Sequence, residues 1–133
     1  MVDKRASKLE YKLSHRPMGI FQLRNEVSGK IFVGSSMDLP AIVNRMRFQL
    51  FAGAHPNKEL EADWRELGAD KFAFEILEEI VPRDDINYDY KADLDTLEDL
   101  WLEKLEPYGE KGYNERKKTR EERLRMIAAN KHK

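Results

Sequence analysis

Two short apolar segments joined by a turn constrain the fold of this chain more than any other feature. Residues 19–34 read GIFQLRNEVSGKIFVG, which predicts one strand over about 19–25 and a second over about 30–35. Asn25 to Gly29 supply the turn between them, and Gly29 is free to adopt a positive φ. Because a short turn joins antiparallel neighbours, we expect these strands to begin a small antiparallel sheet.

The residues that follow predict helices and a third strand. Apolar residues at helical spacing indicate a helix over about 39–52 and a second one between Asn57, its N-cap, and Gly68. The segment 72–80 predicts the third strand, and a third helix is expected over about 91–105. The order β-β-α-α-β-α is typical of an α+β domain with a small three-stranded antiparallel sheet flanked by helices. The core-facing residues expected on the first two helices are Leu39, Val43, Met46, Leu50, Leu60, Trp64 and Leu67.

Charge is distributed unevenly, although the net charge of the 133 residues is only −1. Residues 1–18 hold five Lys or Arg against two acids, residues 115–133 hold eight against three, and residues 19–114 hold 11 against 20. We therefore expect a basic N-terminal arm, one domain over 19–114 and a basic C-terminal tail. The segment 75–110 holds 13 acids and three bases, which disfavours DNA there and suits a basic protein partner.

Composition excludes several classes of protein. The chain has no cysteine, which excludes a disulfide framework and thiolate chemistry. No apolar run approaches the roughly 18 residues that a membrane span requires, and the N-terminus lacks the apolar core of a signal peptide. We expect a soluble, cytoplasmic protein with no membrane contact, and the sequence leaves its oligomeric state open.

Glu98 is the best single candidate for a functional side chain. On a helical wheel it lies among Leu94, Trp101 and Leu105, so an acid occupies the apolar stripe of the third helix. Burying an unpaired carboxylate is costly, and such a position usually has a partner or binds a metal. The alternatives are a salt bridge to an arginine, a cap on a neighbouring loop, or a metal ligand.

The chain resembles the GIY-YIG endonuclease family over about 19–114. The segments GIF, KIFVGSS, GAHPN, LEADW, FAFEILEEI, LEDLW and GYN occur in the order and spacing of that family. The resemblance implies the α+β fold described above and an ancestral activity of metal-dependent phosphodiester hydrolysis of DNA. It also implies that Glu98, three residues before Trp101, binds one Mg²⁺ or Mn²⁺ ion, a hard cation that needs few protein ligands.

The resemblance places polar catalytic groups at four positions that are apolar here. Phe21 and Phe32 occupy the positions of the two signature tyrosines, of which the first acts as general base or positions the attacking water. Ile42 occupies the position of an arginine that stabilises charge on the phosphate, and Met46 that of a histidine. His55 in GAHPN matches a further family histidine, or else it is a local hydrogen-bonding residue.

Two functions are compatible with these residues. Losing one preorganised donor costs about 10²–10³ in rate, and losing a general base costs about 10²–10⁴. The substitutions thus favour a module with impaired or lost catalysis that binds nucleic acid or a protein. In the alternative, the domain is an active Mg²⁺-dependent DNA endonuclease that uses Glu98, with Arg45 as a displaced cation and His55 in support. The residues expected to contact nucleic acid are Arg24, Lys30, Arg47, Asn114, Arg116, Lys117 and Lys118.

Overall fold

The computed structural model describes residues 16–83, 87–116 and 120–131. The expected α+β class and the order β-β-α-α-β-α are confirmed, and one further helix follows in the C-terminal segment. Two short 3-10 turns lie at Ala69–Lys71 and Gly109–Lys111. Within the described ranges, no helix is long and apolar enough to cross a membrane. The strands and helices are β1 (Met18–Asn25), β2 (Ile31–Ser36), α1 (Leu39–Ala52), α2 (Lys58–Leu67), β3 (Phe72–Ile80), α3 (Tyr90–Leu105) and α4 (Arg120–Lys131).

The strand β1 lies at the centre of the sheet, which has the order β2-β1-β3 and is antiparallel throughout. On the β2 side, Phe21 lies opposite Gly34 and Leu23 lies opposite Phe32. The turn between the two strands forms as predicted, and Gly29 adopts a φ of 81°. Each strand boundary agrees with its sequence-based prediction to within one residue.

A β-bulge in β3 interrupts the alternation that its sequence suggests. Phe21 pairs with Ile76 whereas Ile20 pairs with Glu78, so Leu77 is an extra residue on β3. Because side chains alternate with a period of two, one extra residue exchanges the faces of all residues beyond it. Simple alternation is therefore a wrong description of the second half of this strand.

Two apolar clusters cover the two faces of the sheet. On one face, α1 and α2 pack against alternate residues of the strands, and on the other α3 packs against the residues between them. The first cluster is larger and carries most of the aromatic side chains. Its buried members are Phe21, Leu23, Leu39, Met46, Leu50, Leu60, Trp64, Phe72 and Tyr113, whereas Ile20, Val33, Leu94 and Leu102 form the buried part of the second.

The three helices around the sheet begin at side-chain N-caps. Asp38 accepts a hydrogen bond from the first turn of α1, Asn57 from that of α2 and Asp89 from that of α3. Such caps satisfy backbone N–H groups that have no partner within the helix. The predicted cap at Asn57 is thereby confirmed.

The segment after α3 pairs with the free edge of β2, whereas the sequence suggested only a loop there. Gly112 forms a parallel bridge with Ile31, and the N–H of Tyr113 donates to the carbonyl of Ile31 at 2.9 Å. A β-carbon on Gly112 would lie 2.5 Å from the carbonyl oxygens of Ile31 and Pro107. Only glycine permits this approach, which brings the next two residues over β2.

Candidate active site

The residues that the family resemblance singles out converge on one open pocket of about 840 Å³. It is bounded by β1, β2, α1 and α3, together with the segments 55–59 and 112–115. A concave site with a few polar groups on an apolar wall is the usual form of a binding or catalytic pocket. The sequence-predicted residues that line it are Phe21, Phe32, Ile42, Arg45, Met46, His55, Glu98 and Asn114.

One side of the pocket is apolar, and we call it the apolar wall: Phe21, Phe32, Ile42 and Met46. Phe21 and Met46 are buried members of the larger core cluster, and Phe32 and Ile42 are partly buried against it. None of these side chains can donate a hydrogen bond to an oxyanion. At the four positions where the resemblance implies polar groups, the side chains of this chain are therefore apolar and belong to the hydrophobic core that borders the pocket.

Glu98 lies half-buried on α3 and faces the end of β2 across the pocket. The hydroxyl of Ser35 donates to Oε2 of Glu98 at 3.3 Å. Its neighbours on the apolar stripe are as expected, because Leu94 is buried and Trp101 is half-buried. The carboxylate is therefore held at the rim of the core with a polar contact from β2.

The donor set around Glu98 fits a Mg²⁺ ion that keeps most of its waters. Within the described ranges, no group of three or more His, Asp, Glu or Cys converges. Mg²⁺ is commonly held by one or two carboxylates together with waters and substrate phosphates. A half-buried carboxylate in an open pocket meets that requirement, and no closed, all-protein cage is needed.

Arg45 lines the same pocket as Glu98, from an exposed position on α1. Among the described residues it has no hydrogen-bond or ion-pair partner, so its guanidinium is available to an anion. Gln49, one turn further along α1, also lines the pocket, although the sequence analysis did not single it out. Its spacing of four residues from Arg45 was the signal that could have identified it.

His55 is buried, with an exposed fraction of 5 %, and it lines the pocket next to Phe32. The two rings meet edge to face with their centroids 5.9 Å apart. Nδ1 accepts a hydrogen bond from the backbone N–H of Asn57 at 3.0 Å, which leaves the proton of the neutral ring on Nε2. Burial lowers the pKa of His55, so the ring is neutral at pH 7. His55 therefore makes the local hydrogen bond that one alternative described, and its role as the family histidine remains a prediction.

The Asn114 side chain binds the backbone of β2. Oδ1 accepts from the N–H of Val33 and Nδ2 donates to its carbonyl, both at 2.8 Å. The amide therefore pairs with β2 as a strand residue would. It anchors residues 112–115, which we call the closing segment, at the edge of the pocket. A nucleic-acid contact from Asn114 remains a prediction, and the geometry assigns this amide to the fold.

Tyr113 is a pocket residue that the sequence analysis did not include among its candidates. Its hydroxyl donates to Oδ2 of Asp63 at 2.7 Å and accepts from Nδ2 of Asn25 at 2.9 Å. Burial raises the pKa of Tyr113 to about 12. Its place in the segment GYN could have identified it as a candidate. Its hydrogen bonds were not predictable from that segment, because Asp63 and Asn25 lie 50 and 88 residues away in the chain.

The other predicted cations do not line the pocket, and each described one has a partner of its own. Arg24 forms an ion pair with Glu75 and Lys30 forms one with Glu59, both at 2.6 Å. Arg47 lies 5.1 Å from the ring centroid of Phe74, and Arg116 lies 5.0 Å from that of Tyr108. Their contact with nucleic acid remains a prediction. Lys117 and Lys118 lie outside the described residues.

Two solved structures match the chain, whereas no family model and no curated protein does. One is the catalytic domain of the homing endonuclease I-TevI, with 28% identity and a TM-score of 0.63 over 75% of this chain and 99% of that one. The other is a glutamate-to-alanine mutant of the I-TevI catalytic domain, with 27% identity and a TM-score of 0.63 over 77% and 97%. These matches confirm the predicted resemblance in fold.

Proposed function

We propose that this chain, a nuclease-family domain with the GIY-YIG fold, binds nucleic acid at its pocket and has impaired or lost phosphodiester hydrolysis. The observation that carries the proposal is the apolar wall of Phe21, Phe32, Ile42 and Met46. These four side chains line the pocket at the positions where the family resemblance implies polar catalytic groups. None of them can supply the hydrogen bonds that those groups would make. A site that hydrolyses a phosphodiester needs donors aimed at the developing charge, and each missing donor costs about 10²–10³ in rate.

The binding part of the proposal rests on the groups that remain. Arg45 has no partner among the described residues, and Ser35, Gln49 and Asn57 are neutral polar residues around the same cavity. DNA is a plausible partner because the matched neighbours are homing endonuclease domains. Glu98 would hold a Mg²⁺ or Mn²⁺ ion, which supplies Lewis-acid stabilisation of phosphate charge when bound. Glu98 would be the protein ligand of that ion, and the Ser35 hydroxyl hydrogen-bonds to its carboxylate.

The second candidate is an active metal-dependent DNA endonuclease. Arg45 and Glu98 line one cavity, which favours this possibility, since a phosphate in that cavity would have a cation and a carboxylate that could hold a metal ion on its walls. The remaining obstacle is the general base, because neither Phe21 nor Phe32 can accept a proton. His55 is a neutral imidazole at pH 7, but its Nδ1 is already occupied by the N–H of Asn57.

A cleavage assay separates the two candidates. Supercoiled plasmid and branched DNA are incubated with wild type, Glu98→Ala or Glu103→Ala, each with Mg²⁺ and with Mn²⁺. Glu103 is an exposed residue on the same helix and is the matched control. We expect no cleavage above background with any of the three proteins. Cleavage by wild type and Glu103→Ala that is lost in Glu98→Ala would refute the impaired-catalysis proposal and establish the endonuclease.

A salt titration then tests binding. Phosphate contacts release counterions, so log K falls with log salt in proportion to the number of contacts. We expect a clear negative slope for wild type and a slope smaller by about 1 for Arg45→Gln. A slope near zero for wild type would remove nucleic acid as the ligand of this pocket.

Docking of a basic protein is a third possibility, supported by the exposed carboxylates of β3 and α3. Glu79, Asp95 and Glu103 are exposed, in a body where acids outnumber bases. A lysine-rich peptide should bind wild type at low salt and lose affinity in Glu79→Lys with Glu103→Lys. Equal binding to both proteins would rule out Glu79 and Glu103 as contributors to such a docking surface.

A further inference from the structure

The outer side of α1 carries two exposed aromatic rings. Phe48 is 71% exposed and Phe51 is 87% exposed, and they are the only aromatic residues among the exposed large apolar side chains of the described ranges. Residues three apart are neighbours on a helix, with Cβ atoms about 5–6 Å apart. Exposed apolar side chains that cluster in this way usually mark a contact surface.

This aromatic pair continues a row that begins at the pocket. Arg45, Phe48 and Phe51 follow one another at a spacing of three residues, and we call this row the α1 ridge. Its first member lines the pocket, and Phe48 lies about 60° around the helix from Arg45. Phe51 lies about 120° from Arg45, so the row winds around the helix away from the pocket, and a strand that leaves the pocket at Arg45 would meet Phe48 first and Phe51 next.

The charge of α1 matches a polyanion. Its fourteen residues include Arg45 and Arg47 and no acidic residue, whereas the surrounding 19–114 segment holds 20 acids and 11 bases. A nucleic acid that approaches the pocket is therefore repelled by most of the body and attracted along this helix. A basic protein partner, in contrast, would avoid α1.

We propose that the α1 ridge is a stacking surface for unpaired bases of a nucleic-acid strand whose phosphate lies in the pocket at Arg45. The inference rests on the proposed nucleic-acid binding and specifies its substrate class. Aromatic rings beside a cation bind single strands because every unpaired base offers a π-face for stacking. A blunt duplex has its bases stacked and paired, so Phe48 and Phe51 find no equivalent surface on it.

The test compares a labelled single strand with the blunt duplex of the same sequence, by fluorescence anisotropy. Phe48→Leu keeps apolar area but removes the ring, whereas Phe48→Tyr keeps the ring. We expect Phe48→Leu to weaken single-strand binding about 5- to 100-fold and Phe48→Tyr to bind as wild type. Neither change should alter duplex binding. Leu100→Ala, at an exposed apolar residue of α3, is the control for loss of apolar surface.

The outcomes separate this inference from the function on which it rests. Single-strand binding of Phe48→Leu at the wild-type level would overturn the inference, and so would equal weakening by Phe48→Leu and Phe48→Tyr. In both cases Arg45→Gln would still weaken binding, and nucleic-acid binding at the pocket would stand. A wild-type protein that binds neither DNA would overturn both. If Phe48→Leu changes only the oligomeric state measured by light scattering, the ridge is a protein interface instead.

Discussion

The ring of Phe21 lies against Gly34 of the neighbouring strand, directly opposite it in the β1–β2 register. A β-carbon on residue 34 would lie 2.8 Å from Cζ of Phe21 and 3.0 Å from Cε1. Phe21 is buried, so its ring has little freedom to move away. The close approach of the Phe21 ring therefore requires glycine at position 34, and this requirement depends on the ring and not on a hydroxyl group.

Gly34→Ala should destabilise the domain by about 1–3 kcal/mol, because the added methyl group overpacks the site. The measurement is the free energy of unfolding in urea. In the Phe21→Leu background the same substitution should cost less, since the smaller side chain leaves room for the methyl group. Equal costs in the two backgrounds would show that the contact with Phe21 is not the cause.

Restoring polar groups to the apolar wall should restore catalysis. We expect the variant with Phe21→Tyr, Phe32→Tyr, Ile42→Arg and Met46→His to nick plasmid with Mg²⁺ at least about 10²-fold faster than the background rate measured with wild type. Polar groups at buried Met46 should also cost about 1–3 kcal/mol of stability. Circular dichroism checks the fold, and the same variant with Glu98→Ala is the inactive control. A folded variant no faster than that control would contradict the prediction.

His55 should make the domain less stable as the pH falls. Burial lowers the pKa of His55 below its value near 6.5 in the unfolded chain. The unfolded state therefore binds more protons below pH 6.5, and stability is lost as the pH falls from there through the folded-state pKa. His55→Asn keeps an acceptor for the Asn57 N–H but does not titrate. Its free energy of unfolding should change less than that of wild type between pH 7.5 and pH 5, measured in urea.

Tyr113→Phe should cost about 1–3 kcal/mol, because it leaves Asn25 and Asp63 without their shared partner. The effect should also depend on pH. Burial raises the pKa of Tyr113 to about 12, so its contribution to stability is complete below pH 10 and is lost as the pH rises towards 12. Urea unfolding at pH 8 and pH 11 should show a smaller difference between wild type and variant at pH 11.

A matched control for that experiment is Tyr108→Phe. The Tyr108 ring contacts Arg116, but within the described ranges its hydroxyl makes no hydrogen bond. Its removal should change stability by less than about 0.5 kcal/mol, at both pH values. A loss as large as that of Tyr113→Phe would mean that the Asn25 and Asp63 bonds are not what stabilises the closing segment.

Local patterns in the sequence were sufficient for the elements of this fold. Two apolar segments joined by a turn predicted β1 and β2, helical spacing predicted α1 and α3, and the N-cap at Asn57 marked the start of α2. These features depend on residues within a few positions of one another, which is the range over which propensity and capping act. The ordered motifs added the family resemblance, and with it the expectation that Phe21 and Glu98 belong to one site.

Contacts between distant parts of the chain were not predictable in this way. The extra residue Leu77 in β3 follows from its pairing with β1, and no turn residue marks it in the sequence. Asn114 was predicted to contact nucleic acid, and nothing near it in the sequence indicated that its amide binds the backbone of Val33, 81 residues earlier. Arg24 and Lys30 were predicted to contact nucleic acid, and their ion pairs with carboxylates of β3 and α2 were not predicted.

The sequence by itself therefore determined the strands, the helices and the family resemblance, with apolar residues at four positions where that resemblance implies polar groups. The tertiary structure decided which remaining side chains are available. It places Arg45, which has no partner among the described residues, in the pocket with Glu98. It also binds the Asn114 side chain to the backbone of β2 and the Tyr113 hydroxyl to Asp63. The physical reason is that a side chain forms a hydrogen bond or an ion pair only when the fold brings its partner within about 3 Å. For residues far apart in the chain, the sequence spacing does not determine that distance.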